Sequence, residues 1–224
     1  MDSASNSETS ILSLNPAECE IKQIYKLMTG IIVPRPVAWV STMDRAGVAN
    51  LAPFSFFTGV GSNPPTVMFC PVLRAAKARP ADAAADWTPD RRKDTLRNVE
   101  ETGEFVVNVV NEALAVAANA TAADVDPSVD EFELAGLKTL ASEVVRPPRV
   151  AGSPAQMECK LTQAIYVGRE PGSGVIVLGE VVRFHVRRDL VEDFRVDPGG
   201  LDALGRMAGH TWVRTQDRIE IVRP

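Results

Sequence analysis

Apolar residues along this chain recur mostly at every second position, and only briefly at helical spacing. After a polar leader, Ile21 to Met28 reads as a short helix or entry segment. Pro36 to Asp44 (PVAWVSTMD) is apolar and β-branched and runs into Asp44-Arg-Ala-Gly47, which predicts a strand entering a Gly-containing hairpin turn. Val48 to Thr58 and Thr66 to Val72 read as further strands, divided by the turn cluster Gly61-Ser-Asn-Pro-Pro65. From Leu73 to Arg92 the residues are Ala, Arg, Asp and Pro without periodicity, which predicts a long exposed loop of the kind that is functional or disordered in a compact domain.

Asp94 to Gly103 carries Leu96 and Val99 at helical spacing, an Asp able to cap the start and a Gly just after the last turn. It predicts a short helix, and Phe105 to Val110 the strand that follows. Asn111 to Ala123 is Ala-rich behind an Asn cap and predicts a second helix, whereas Asp126 to Pro148, with Pro127, Gly136 and Pro147-Pro148, reads as mostly irregular. Cys159 to Gly168 and Val175 to Arg187 are long strands, the second interrupted at Gly179, and the tail from Arg206 to Val222 ends in the alternating DRIEIV, a further strand. With no internal repeat and no linker between folded halves, residues 21–224 are expected to form one domain behind a leader at 1–20. Six or seven strands with two short helices predict a mainly β fold, a closed or nearly closed antiparallel barrel with helical decorations.

Charge and composition then narrow the function. The 224 residues include 24 Lys+Arg against 29 Asp+Glu, a net charge of −5, so no general basic surface awaits nucleic acid. Hydrophobic residues at 45% suffice for a core. Three cysteines, at 19, 70 and 159, form no CxxC pair, and His185 and His210 are far apart, which excludes a disulfide framework and any standard zinc site. The leader has no apolar h-region, and no apolar run approaches the roughly 20 residues of a membrane span, so a soluble cytoplasmic protein is expected, with no membrane partner. Gly59-Val-Gly61 and Gly172-Ser-Gly174 do not complete GxGxxG, and GxxxxGK[ST] is absent. A dinucleotide, if one is used, is not held on a Rossmann crossover.

Three segments carry candidate chemistry. Lys93-Asp94-Thr95 places an ammonium, a hydroxyl and backbone N–H groups at a helix start, an arrangement that attracts phosphate; equally, Asp94 caps the helix and Lys93 is a solvated loop charge. In Asn50 to Thr58 (NLAPFSFFT) small and polar residues interrupt an aromatic stretch, offering backbone groups to a flat ligand beside Phe54, Phe56 and Phe57; the alternative is a core strand bulged at Pro53. Ser41-Thr42 is a hydroxyl pair in an apolar strand, open to a ligand or to local backbone bonds. His185 alternates with Arg183 and Arg187 against Val182, Phe184 and Val186, which reads as a solvated or interfacial face. Glu180 shares an apolar face unless Gly179 introduces a bulge. No Ser-His-Asp arrangement is inferable, and the cysteines read as small core residues.

Taken in order, RPVAWVST (Arg35 to Thr42), GVANLAPFSFF (Gly47 to Phe57), NPPTVMF (Asn63 to Phe69), KDTLRNVEETGEFVVNVV (Lys93 to Val110), DEFELAGL (Asp130 to Leu137), MECKL (Met157 to Leu161), VLGEVV (Val177 to Val182) and LGRMAGHTWVR (Leu204 to Arg214) resemble the flavin reductase-like family of FMN-binding split barrels. The resemblance implies a homodimer with each flavin near the subunit interface, gripped largely by main chain. It implies that Ser41, Thr42 and Met43 approach the flavin, that Asn50 with Ala52, Pro53, Phe54, Ser55, Phe56 and Phe57 lines the isoalloxazine edge, and that Lys93, Asp94 and Thr95 meet the ribityl or phosphate end. It also implies an NAD(P)H-dependent reductase of FMN or FAD, serving a separate monooxygenase, with a tightly bound electron carrier or a non-catalytic module as rivals. No protein acid, base or nucleophile is then obligatory, because the cofactor holds the reactive group. Two departures mark this chain: Arg74 to Arg92 is an enlarged loop, and Trp212 stands where the family tends to have Tyr.

Overall fold

The structure, a computed structural model, describes residues 10–75 and 90–223. Helix α1 (Ile21–Ile31) leads into strands β1 (Arg35–Pro36), β2 (Ala38–Met43), β3 (Ala49–Phe54), β4 (Phe57–Ser62) and β5 (Pro65–Phe69). Helix α2 (Asp94–Thr102), strand β6 (Glu104–Val109), helices α3 (Ala115–Ala120) and α4 (Glu131–Leu134) and the short strands β7 (Thr139–Leu140) and β8 (Arg149–Val150) follow. The long strands β9 (Ala155–Tyr166) and β10 (Val175–Val186) precede β11 (Val191–Glu192), β12 (Arg195–Val196), helix α5 (Pro198–Leu201), β13 (Leu204–Arg206) and β14 (Trp212–Arg214).

Seven strands form one sheet in the order β3-β2-β6-β9-β10-β5-β4, every neighbour antiparallel. Its two edge strands, β3 and β4, are consecutive in the chain and are joined by Ser55 and Phe56 alone. Three Cα–Cα steps reach at most about 11 Å, while the outer strands of a flat seven-stranded sheet would stand roughly 29 Å apart. The sheet must therefore curl until its edges meet. The edges are not paired with each other, so the barrel stays split along this seam. An edge position also suits Pro53, whose missing N–H costs no ladder bond on an open side.

Alternation then sorts the residues into two layers. Ala38, Val40, Phe54, Phe69, Phe105 and Val177 fill one face together with Leu96 and Val99 from α2. The Phe54 and Phe69 rings lie 5.1 Å apart, and Phe69 and Phe105 meet edge-on at 5.3 Å. On the opposite face Trp39, Leu51 and Val110 pack under Ala118 of α3 and Phe132 of α4, and the Trp39 indole donates to Thr121 Oγ1 at 2.9 Å.

Several expectations are corrected. The segment Val48 to Thr58 is two strands, because the chain must cross the seam at Ser55-Phe56. Lys93, not Asp94, occupies the N-cap of α2, Asp94 being the first helical residue; Gly103 closes the helix with φ 73° as predicted. The stretch read as irregular contains α4 and β7. The DRIEIV tail forms no strand: β14 ends at Arg214, and Ile219, Ile221 and Val222 are exposed. Most of the predicted loop Leu73 to Arg92, residues 76–89, lies outside the described residues.

The expected interruption at Gly179 is absent: β10 runs unbroken from Val175 to Val186, with Gly179 on the inward face beside Val177 and Val181. A Cβ there would stand 2.3 Å from Cζ of the fully buried Phe105. The register shift between Leu178 and Gly179 places its extra residue on β9, so Glu180 keeps the face of Ile176, Leu178 and Val182, which is the outward one, and is exposed. A second shift, between Val181 and Arg183, leaves Phe184 exposed and His185 partly buried, reversing the faces read from simple alternation. Gly179→Ala should lower stability by about 1–3 kcal/mol through overpacking. In a denaturant series Phe105→Leu combined with Gly179→Ala should lose less than the sum of the two single losses; strict additivity would place the clash elsewhere.

Candidate functional site

The start of α2 is open. No side chain caps it, and the first backbone bond runs from Arg97 N to Lys93 O at 3.0 Å. The Asp94 carboxylate turns away to Arg97 Nη2 at 2.5 Å and to Arg74 Nη2 at 3.5 Å. Lys93 forms no salt bridge with a described residue; its ammonium sits 5.8 Å from the centre of the Phe54 ring. Desolvation, then repulsion by Arg74, lowers its pKa, with Asp124 opposing. A helix N-terminus and an unpaired ammonium thus face the same space, which favours an anion.

Beside it lies a buried polar hub. Asn50 accepts at Oδ1 from Thr95 Oγ1 (2.9 Å) and Thr42 Oγ1 (3.3 Å) and donates from Nδ2 to Glu131 Oε1 (2.7 Å). The other Glu131 oxygen accepts from the backbone N–H of Leu51 at 2.9 Å, and Asn98 donates to Thr42 Oγ1 at 3.1 Å. Five side chains from α2, β2, β3 and α4 are locked together, all of them buried. Asn98 Oδ1 is the one buried side-chain oxygen or nitrogen among the described residues without a partner.

A cavity of about 240 Å³ brings Asn50, Ala52 and Pro53 of β3 together with Lys93, Asp94 and Thr95. Glu131, Arg74 and the chain from Thr121 to Val125 complete its wall. Six of the thirteen expected binding residues therefore share one site. Ser55 and Phe56, at the seam, line a second cavity of about 830 Å³. Phe54 belongs to the core, and Phe57 packs against it. The remaining three line neither cavity: Ser41 is fully buried and donates to the Pro148 carbonyl at 2.6 Å, Thr42 supports Asn50, and Met43 Sδ lies 3.7 Å from Arg146 Nη2. Glu131 and Arg74 escaped notice as site residues. Glu131 sits in a segment whose Gly and Pro content hid a four-residue helix, although Asp130 before it is the sort of residue that caps one, and does accept from Phe132 N at 2.8 Å.

A second buried carboxylate, Glu158, lies apart from this cavity. It accepts from the backbone N–H groups of Glu143 (2.8 Å), Val144 (2.6 Å) and Val145 (3.1 Å), and His185 Nε2 stands 2.6 Å from it. His185 thus anchors a loop instead of presenting a solvated face. Among the described residues no three His, Cys, Asp or Glu side chains gather as metal ligands, and no helix is long and apolar enough to cross a membrane.

The chain has clear relatives. A family model described as "Flavin reductase like domain" matches residues 28–202. An uncharacterized protein of Halalkalibacterium halodurans is 36% identical over 215 residues, 95% of this chain and 97% of that protein. The crystal structure of nitrilotriacetate monooxygenase component B from Bacillus cereus superposes with a TM-score of 0.85 at 40% identity, covering 95% of this chain and all of the other. The 2-nitrobenzoate 2-nitroreductase of Pseudomonas fluorescens gives 0.81 at 28% identity over 95% and 96% of the two chains. A split-barrel protein of Shewanella frigidimarina, 20% identical with a TM-score of 0.75 over 93% and 96%, shares the fold.

The two buried carboxylates respond to pH in opposite senses. For Glu131 desolvation outweighs the bonds from Asn50 and Leu51 and raises its pKa above the ordinary carboxylate range. Its contribution to stability is therefore best at low pH and is lost as pH rises through the raised value. For Glu158 desolvation is overcome by the three backbone N–H groups and His185, which hold its pKa below the ordinary carboxylate range. Its contribution is present above the ordinary carboxylate range and is lost as pH falls through the lowered value. In urea unfolding from pH 3 to 8, Glu158→Gln should flatten the acid limb and Glu131→Gln the neutral limb; the reverse pairing would refute both placements.

Proposed function

The chain belongs to the flavin reductase-like family, and from that premise we propose that it transfers a hydride from NAD(P)H to FMN, or to FAD, as the reductase component of a two-component flavin-dependent monooxygenase. Support comes from component B of the nitrilotriacetate monooxygenase at 40% identity across nearly the whole chain. The observation that carries the reading is the convergence of an uncapped helix start and the unpaired Lys93 on the strand segment Asn50–Pro53.

The residues present fit a flavin mononucleotide. The α2 start and the Lys93 ammonium suit its phosphate, since a charge-assisted bond to a phosphate oxygen is among the stronger polar contacts. Asn50 and Glu131 present an amide and a carboxylate to ribityl hydroxyls. The small side chains of Ala52 and Pro53 let main chain approach a flat ring edge. When bound, the flavin supplies the redox chemistry by accepting the nicotinamide hydride. The protein's part is to bind, to orient and to hold the site's polar groups fixed before the reaction, the role of preorganisation. The Asn50 hub does the fixing: Thr95 and Thr42 hold its amide oxygen, so Thr95 acts through Asn50 while Lys93 faces the ligand directly.

We also infer a cytoplasmic homodimer. An apolar groove formed by Leu14, Leu27, Ile31 and Ile32 faces solvent, with Ile31 77% exposed, and apolar patches of this kind mark interfaces.

The test is flavin titration followed by oxidation of NADH and NADPH with added free FMN or FAD. Lys93→Ala should weaken FMN by about 10–100-fold, the loss of a charged hydrogen bond of roughly 1.5–3 kcal/mol, and leave riboflavin unchanged. Thr95→Val should weaken FMN and riboflavin alike, because it frees Asn50. Equal losses of both ligands in Lys93→Ala would overturn the phosphate assignment. Flavin that stays bound through turnover would make the protein an electron carrier, and a colourless protein that oxidises neither nicotinamide would make it a non-catalytic module.

A further inference from the structure

The larger cavity holds the more unusual charge distribution. In a chain with more acidic than basic residues, its wall carries Lys22, Lys26, Arg35 and Arg206 and no Asp or Glu. None of the four forms a salt bridge with a described residue. Arg35 is 4% exposed, yet its guanidinium is held by neutral acceptors: the carbonyls of Thr29 (2.6 Å), Ile32 (2.6 Å) and Met207 (3.0 Å) and the hydroxyl of Ser55 (3.3 Å). Arg206 donates to the Gly209 carbonyl at 2.7 Å and lies 4.9 Å from the centre of the Trp212 ring. The two guanidiniums are close enough to repel: burial first, and then Arg206, lower the Arg35 pKa, with Tyr25 opposing. Lys22 and Lys26 stand one turn apart on α1, so both ammoniums are on one face.

Between these charges the wall is apolar and polarizable. Phe56 and Tyr25 line it together with Met28, Met207 and Cys70, and thioether and thiol sulfur favour contact with the aromatic ring of a ligand. The volume, about 830 Å³, is in the range of small-molecule sites. Isolated cations beside an apolar, aromatic-compatible wall define a ligand with a matching division, a flat ring carrying one negative charge.

We propose that this cavity binds an aromatic carboxylate, its ring against Phe56, Tyr25 and the sulfur side chains and its carboxylate on Arg206 and the α1 lysines. The site is walled by the seam residues Ser55 and Phe56 and shares no lining residue with the smaller cavity, and it stands without any flavin being bound.

Titration of flavin-free protein with 2-naphthoate and with its neutral isostere 2-naphthamide, by calorimetry and thermal shift, tests this. Naphthoate should bind saturably and at least tenfold more tightly than the amide, with the gap narrowing at high salt. Arg206→Gln and, as a solvent-side variant that cannot disturb the core, Lys26→Gln should each weaken naphthoate several-fold and leave the amide unaffected. Equal affinities for acid and amide, or no binding to folded protein, would overturn the proposal. So would absence of naphthoate binding with a shifted monomer–dimer equilibrium in Lys26→Gln, which would make a second copy the occupant. FMN affinity, read on the same variants, should not change, so failure here is separable from failure of the flavin assignment, which Lys93→Ala reports.

Discussion

The two-residue link across the seam, Ser55-Phe56, is the constraint on which the molecule depends. It ties the two outer strands of a seven-stranded sheet within about 11 Å of each other, and no flat arrangement allows that. Curling places Phe54, Phe69 and Phe105 in one interior and turns Trp39 and Leu51 outward under α3 and α4. It also leaves β3 and β4 each with an unpaired edge along the seam, while the Phe56 carbonyl continues the β4–β5 ladder by accepting from Cys70 N at 2.8 Å. A seam that cannot be zipped shut is a natural place for other molecules to approach main chain.

Both cavities follow from that geometry. Residues just before the seam, Asn50 to Pro53, wall the smaller one, and Ser55 and Phe56 wall the larger. Their polar support differs in kind. The smaller site is fixed by a hub in which each hydrogen bond constrains the next, so Thr42 and Asn98, with no access to the cavity, still decide where the Asn50 amide sits. Buried networks of this sort favour one arrangement because a half-satisfied alternative would strand a donor in low dielectric. The larger site is fixed instead by Arg35, whose four contacts tie α1, the seam and the segment after β13 into one frame.

Much of this was legible in the sequence, and the rest was hidden for identifiable reasons. Alternation located the strands, and Lys93-Asp94-Thr95 with Gly103 located α2, because these signals are local. The cap itself was misassigned: Asp94 is a good capping residue, but Arg97 and Arg74 draw its carboxylate away, and no local rule records a competing cation 20 positions distant. The buried carboxylates were misidentified for a similar reason. Glu180 does share a face with Ile176, Leu178 and Val182, as alternation reads it, but that face is the outward one, because Val175, Val177, Gly179 and Val181 take the inward side. Glu158 looked ordinary and is fully buried, because three backbone N–H groups from a loop some 14 residues earlier converge on it. DRIEIV alternates like a strand, but a strand needs a neighbour, and the chain offers it none among the described residues. Long-range partners decide each of these cases, and a single sequence does not display them.

The two cavities share cations that form no salt bridge with a described residue, Lys93 in one and Lys22, Lys26, Arg35 and Arg206 in the other. Many of the other cations are met by carboxylates: Arg92 by Asp90 and Glu100, Arg214 by Glu112, Arg187 by Asp189. Asp130 and Asp197 cap the starts of α4 and α5 with their carboxylates, which the start of α2 lacks. At α2 the cap is missing and Lys93 is left without a carboxylate; at the seam two guanidiniums repel each other in a chain of net charge −5. Acidic residues are abundant enough to have neutralised both places, so scarcity is not the cause. Departures from local consistency concentrate at functional sites, and under the two proposals a negative charge completes each of these: one compact, at a helix start, and one carried on a flat apolar body.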